Sequence, residues 1–203
     1  MRPRWAVGSE TLPLNWLWVV PVRDVFLTKR RGSGSVPQVM RVGKQELYRE
    51  LLTQVERLFE GEHDFIANAA GLAAVLYQGL PQVNWAGFYL LKEQMLVLGP
   101  FQGKPACVRI ALGRGVCGAA AAERRTIVVG DVHAFPGHIA CDAASNAEIV
   151  VPLIAAGRLI GVLDLDSPTR DRFDAADAAG LEAIVQTFLA HSDAPALPPP
   201  SGA

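Results

Sequence analysis

Leu47, Leu51, Leu52, Val55, Leu58 and Phe59 recur at helical spacing, which predicts an amphipathic helix. A second helix is expected from Asp64 to Tyr77, rich in Ala and Leu and ending before Gly79-Leu80-Pro81. The period then changes. Trp85–Leu91, Met95–Leu98, Cys107–Leu112, Ile127–Val129, Ile149–Ala155 and Leu159–Asp166 are short, strand-like and punctuated by Gly or Pro. Gly113 to Glu123 fits a short helix among them. Asp174 is the expected N-cap of a closing helix that runs through Leu189. Asp177 stands three positions on, and Leu181, Ile184, Val185 and Phe188 face inward.

Two helices, about six strands and a closing helix describe an α+β domain on a central antiparallel sheet. Ala156-Gly157-Arg158 is short enough to make the last two strands a hairpin. Both strands are apolar at nearly every residue, so helices are expected on both faces of the sheet. Pro152 lacks a ladder donor and is expected at an edge or a bulge.

The ends read differently from the middle. Residues 1–40 sustain no period, contain Gly32-Ser33-Gly34-Ser35, and are expected to be a poorly ordered extension. The alternative is a docking segment that uses Trp16 and Trp18. Residues 41–190 form the expected domain, and residues 191–203, with Pro198-Pro199-Pro200, a flexible tail. Half of the chain is apolar and 19% is charged, which excludes disorder throughout. Nineteen Lys plus Arg against twenty Asp plus Glu leave a net charge of −1, which argues against nucleic acid or an anionic membrane as partner. The apolar run from Leu12 to Val22 is too short to span a bilayer. Arg2 and Arg4 precede it as in a signal peptide, yet Val22-Arg23-Asp24 offers no small-residue cleavage site.

Three cysteines without an export signal read as reduced cytosolic thiols, so a cytoplasmic location is expected. No two of them have the short gap of a structural zinc site, although His133 and His138 lie near Cys141. Cys107, beside Val108 and Ile110, fits simple packing on a strand. Cys141 does not, because it sits among small and polar residues in a long segment from Gly130 to Ala147. An ordinary thiol is only about 3% ionised at neutral pH, so a reactive one needs positive potential nearby. For Cys117 the source would be a helix N-terminus and Arg114; for Cys141 it would be His133 and His138. These arguments leave the choice between the two open.

Asp164 and Asp166 are two apart on the last expected strand, so they share a face with Ile160 and Val162. Glu148 opens the preceding strand, and the hairpin would bring it to the same end of the sheet. Three carboxylates beside apolar residues suit a bound cation or ammonium, a calcium ion, or a solvated strand end. Trp85 and Tyr89 share a strand face with Gly87 between them; they fit core packing or, if Gly87 opens space, a pocket wall.

NWAGFYLL (84–91), GPFQGKPACVRIALGRGVCG (99–118), DVHAFPGHIACDAASNAEIVVPL (131–153) and IGVLDLDS (160–167) together resemble the free methionine-(R)-sulfoxide reductase family, a branch of the GAF-domain proteins. The resemblance spans about residues 41–190 and implies a single GAF-like domain. It implies Cys141 as nucleophile, Cys107 as the resolving cysteine that forms a disulfide with it, and Cys117 as an auxiliary thiol able to join disulfide exchange. It assigns Trp85 and Tyr89 to the methyl sulfoxide end of the substrate, and Glu148, Asp164 and Asp166 to its amino group. The implied substrate is free methionine (R)-sulfoxide and the implied reductant is thioredoxin, with no metal or organic cofactor and with a homodimer left open. The rival reading is a non-catalytic GAF module that senses a small molecule or redox state. Such modules are usually fused to an output domain, for which the chain has little room.

Overall fold

The computed structural model describes residues 43–137 and 143–194. Residues 1–42 and 195–203, and with them nearly all of the expected extension and tail, lie outside the described residues, as do residues 138–142. The described chain runs α1 (Lys44–Leu58), α2 (Phe65–Gly79), β1 (Trp85–Lys92), β2 (Met95–Gly103), β3 (Arg109–Ala111), α3 (Gly115–Glu123), β4 (Ile127–Val129), β5 (Ala147–Ala155), β6 (Arg158–Ser167) and α4 (Ala175–His191). The six strands form one sheet in the order β3-β2-β1-β6-β5-β4, and every neighbouring pair is antiparallel. This is the α+β architecture that the pattern predicts. Among the described residues no helix is long and apolar enough to cross a membrane.

Helices cover both faces. Against one face α1, α2 and α4 bury Leu51, Val55, Phe59, Leu72, Leu76, Leu181, Ile184 and Phe188 on Phe88, Ile149, Leu153, Leu163 and Leu165. Against the other face lies α3, whose Val116, Cys117, Ala120 and Ala121 pack with Trp85, Tyr89, Val150 and Val162. Alternation along β1, β5 and β6 therefore sends successive side chains into two cores.

Local chemistry sets the element ends. The Asp64 carboxylate accepts from the Ala67 amide at the start of α2. Asp174 and Asp177 make the expected capping box on α4. Asp177 is fully buried and also takes Lys44 of α1, the Tyr48 hydroxyl and the Arg172 guanidinium, the last at 3.0 Å. That node ties α1 to the start of α4, and Arg172 extends it to the carbonyl of Pro81 ahead of β1. Between Ala155 and Arg158 the turn is Ala156-Gly157, both at positive φ, as a two-residue hairpin requires.

Four local expectations need correction. β2 does not stop at Leu98. It continues to Gly103 because Trp85, Ala86 and Gly87 find their partners at Gly103, Gln102 and Phe101, with a bulge at Gly99-Pro100 absorbing the shift. β3 is shorter than expected, and Cys107 lies in the loop before it rather than on a strand. Ile160 does not share the face of Val162. A register irregularity opposite Leu153 and Ile154 turns it into the core under α1, α2 and α4. Finally, α4 runs two residues past Leu189, and the Asp193 amide beyond it donates to the carbonyl of His63. Pro152 is accommodated as expected: β4 ends its pairing at Val150, so Pro152 lies where β5 is an edge, beside that same irregularity.

Candidate active site

The α3 side of the sheet gathers the polar residues that the sequence singled out. Register places Trp85 of β1 opposite Asp166 of β6, and Gly87 opposite Asp164. On the far side of β6, Glu148 of β5 pairs with Asp166 and Val150 with Asp164. Two-residue alternation then sends Glu148, Asp164 and Asp166 to one face beside Trp85 and Tyr89, with Cys117 of α3 above them. Glu148 and Asp164 are buried and Asp166 is half-buried. The solvated strand end considered from spacing is therefore set aside for the first two.

The aromatic residues form a ladder. The Trp85 ring stacks on Phe101 at a centroid distance of 5.5 Å and on Tyr89 at 5.9 Å. Gly87 makes this possible, since a Cβ there would lie 2.4 Å from the Phe101 Cβ and 2.7 Å from the far edge of the Trp85 ring. Its missing side chain is thus filled by aromatic carbon and opens no cleft of its own, which corrects one of the two sequence expectations for Gly87. Both rings keep their polar atoms occupied. Trp85 Nε1 donates to the Lys104 carbonyl at 3.0 Å, and the Tyr89 hydroxyl donates to the Cys107 carbonyl at 3.0 Å. The aromatic pair therefore holds both ends of Lys104-Pro105-Ala106-Cys107.

The described members of the cluster are acids and a thiol. Ligating atoms of Cys117, Glu148 and Asp164 all lie within 4.8 Å of one another, and Cys117 Sγ is 3.7 Å from Glu148 Oε1. Burial, followed by the charges of Asp164 and Asp166, pushes the Glu148 carboxyl well above its usual range. Burial also raises Asp164, to about 7, against the lowering effect of hydrogen bonds with Cys117 and Glu148. One buried Asp164 oxygen, Oδ1, has no hydrogen-bond partner among the described residues. Near neutrality the pair is short of a cation or a proton, and the three groups are spaced so that one metal ion or one ammonium would satisfy them.

The three cysteines part company. Cys117 is a free, buried thiol. Burial, then Asp164 and Glu148, pushes its pKa well above the ordinary value, so the lowering expected from the helix start and Arg114 is overridden. Arg114 is exposed, while the carboxylates stand in a dry site against the sulfur. Cys107 is half-buried and disulfide-bonded. Cys141 and His138 lie outside the described residues.

Asn146 carries more than the sequence signalled. Its carbonyl accepts from Val132, its amide donates to Ser167, its Nδ2 donates to Pro168, and its Oδ1 lies 3.1 Å from His133 Nε2. It closes the neck of the segment that contains Cys141. An Asn just ahead of a strand is a turn signal in its own right. Asn84, before β1, bonds Ser145 and accompanies this neck.

The GAF domain family profile matches residues 44–188, from the start of α1 into α4. The Escherichia coli protein "Free methionine-R-sulfoxide reductase" is 53% identical over 144 residues, which cover 71% of this chain and 87% of that one. The Bacillus subtilis protein YtsP is 56% identical over 147 residues, covering 71% and 90%. The solved free methionine-R-sulfoxide reductase of Neisseria meningitidis, in complex with its substrate, superposes with a TM-score of 0.72 at 48% identity and covers 74% of this chain and 91% of that one.

The chain belongs to the free methionine-(R)-sulfoxide reductase family.

Within this GAF-fold reductase family, the matched span holds every residue singled out above, from Trp85 to Asp166. The chain therefore carries these residues on the matched domain and owes none of them to residues 1–42.

Proposed function

We propose that the protein reduces free methionine (R)-sulfoxide to methionine in the cytoplasm, with thioredoxin as the recycling dithiol. The buried carboxyls of Glu148 and Asp164, with Asp166 beside them and against the Trp85–Tyr89 stack, carry this reading. A free amino acid offers an ammonium to the acids and an apolar methyl sulfoxide end to the aromatic wall. A methionine sulfoxide inside a peptide has no ammonium, so its binding would leave the carboxylates uncompensated. A charged hydrogen bond contributes roughly 1.5–3 kcal/mol, so peptide substrates should lose at least tenfold.

In the reaction, the Cys141 thiolate attacks the sulfoxide sulfur while an acid protonates the oxygen. One of the carboxyls of the cluster, raised by burial, is the nearest described source of that proton. Methionine leaves, the oxygen passes to sulfur as hydroxyl, and Cys141 becomes a sulfenic acid. The Cys107 thiol condenses with it, releasing water and forming a disulfide, which a thioredoxin dithiol reduces by exchange. The disulfide-bonded state of Cys107 is consistent with that cycle.

The test is NADPH consumption with thioredoxin, thioredoxin reductase and either free or N-acetylated methionine sulfoxide. The reading predicts turnover of the free compound and at least tenfold lower kcat/KM for the N-acetyl compound. Equal rates on both, or none on either, would overturn it.

A further inference from the structure

We propose that Cys117 is a positioning residue, whose thiol donates a hydrogen to the Glu148–Asp164 carboxylate pair and so sets the charge and orientation of the substrate-ammonium site. The inference rests on the function proposed above for that site and replaces the disulfide-exchange role that the resemblance implies for this cysteine. Cys117 is the third residue of α3 and only 3% exposed, with Sγ 3.7 Å from Glu148 Oε1. Among the described residues, the groups that face it are Glu148 from β5, Asp164 and Asp166 from β6, and the Tyr89 phenol from β1. On its own helix the charged side chains, Arg114 at the cap and Glu123 at the far end, are both exposed.

Disulfide exchange needs a thiolate with room for a second sulfur to approach in line. Among the described residues the Cys117 sulfur is buried beside carboxylates, which disfavour the thiolate. Burial and the nearby acids hold it in the S–H form. An S–H group here has the Glu148 carboxylate within reach at 3.7 Å, with Asp164 beside it. Thiols are weak donors, but a donor to a carboxylate in a dry site favours the ionised acid. Its hydrogen bonds lower both Glu148 and Asp164 relative to what burial alone would give. Removing the donor should therefore raise both carboxyls and leave less negative charge for an ammonium at neutral pH.

The experiment compares Cys117→Ala with Cys117→Ser, each checked for wild-type melting. In Cys117→Ala the acidic limb of the kcat/KM–pH profile should move up by about half a unit or more, with KM for free methionine sulfoxide raised severalfold. Cys117→Ser, which keeps a hydroxyl donor, should return the limb and KM towards wild type. Equal failure of both variants, through a loss of kcat with an unmoved profile, would mean that sulfur chemistry is used and would overturn the proposal. A second arm needs no turnover. In the Cys107→Ser/Cys141→Ser protein, whose remaining thiol is Cys117, iodoacetamide at pH 8 should react at least a hundredfold more slowly than with free cysteine. Fast alkylation would overturn the proposal. Should the wild-type chain not reduce methionine sulfoxide at all, the proposed function falls, and carboxyl titration by 13C NMR decides this inference alone. Upward shifts at Glu148 and Asp164 in Cys117→Ala support it, and unchanged titrations refute it.

Discussion

The hydroxyl of Tyr89 donates to the main-chain carbonyl of Cys107 at 3.0 Å, so a side chain of the aromatic wall also fastens the proposed resolving cysteine. Replacing Tyr89 by Phe keeps the ring and its stack on Trp85 but frees the Cys107 end of the loop. The lost bond is worth about 0.5–1.5 kcal/mol. Disulfide closure should slow more than the first reduction step. After one turnover, dimedone should trap sulfenic acid in Tyr89→Phe at several times the wild-type yield. Equal yields would show that the bond does not position Cys107.

Charge in the acid cluster is tested by Glu148→Gln, Asp164→Asn and Asp166→Asn. Each keeps shape and removes one negative charge. Loss of a charged hydrogen bond to the ammonium should lower kcat/KM for free methionine sulfoxide tenfold or more. The weak activity on N-acetylmethionine sulfoxide should change far less. Parallel losses on both compounds would remove the ammonium from the explanation.

Stability should depend on pH in a direction set by Asp164. Its carboxyl lies near 3.8 in an unfolded chain and at about 7 when folded. Between those values the folded state holds a proton that the unfolded state has released, so stability falls as pH rises through the window and levels above it. The raised Glu148 carboxyl acts in the same sense. Thermal melts from pH 4 to 8 should show this decline, and Asp164→Asn should flatten part of it while raising Tm at pH 8. An unchanged slope in the variant would refute the assignment.

Away from the acid cluster, Asp177 holds Lys44, Tyr48 and Arg172 in a buried node. Asp177→Ala leaves the Arg172 guanidinium buried without its counter-charge, which costs about 3–5 kcal/mol. Tm should drop by roughly 10 °C. A fall of under about 3 °C in a scanning melt would show that water or another acid replaces the carboxylate.

Gly87→Ala should damage the wall directly. The new methyl has no room between Phe101 and Trp85, and overpacking of this kind costs about 1–3 kcal/mol. KM for methionine sulfoxide should rise with the loss in stability, and an intact Trp fluorescence spectrum together with unaltered KM would contradict the packing argument.

Much of this was legible because periodicity and capping are local. The spacing from Leu47 to Phe59 and the Asp174–Asp177 pair locate α1 and α4 without tertiary information. The common face of Asp164 and Asp166 follows from strand geometry alone. What escaped depends on partners distant in sequence. Ile160 changes face, and β2 outruns its apolar stretch, because irregular pairing with β5 and β1 shifts the register. The raised pKa of Cys117 is not legible in sequence because the helix start and Arg114 are its chain neighbours, whereas Glu148 and Asp164 reach the sulfur only through the sheet. Asn146 gave a turn signal, but not the four contacts that it makes.

The sheet order has a consequence for biosynthesis. β1 is flanked by β2 and β6, and about 75 residues of chain separate the end of β1 from the end of β6. At ordinary translation speeds the ribosome needs roughly 4–15 s to make that stretch. Until then a nascent chain carries Trp85-Ala86-Gly87-Phe88-Tyr89-Leu90 as an unpaired apolar strand edge, open to pairing with other chains. Arrest before β6 should therefore produce a chaperone-dependent, aggregation-prone intermediate, and the acid cluster comes into being at the moment that edge is closed.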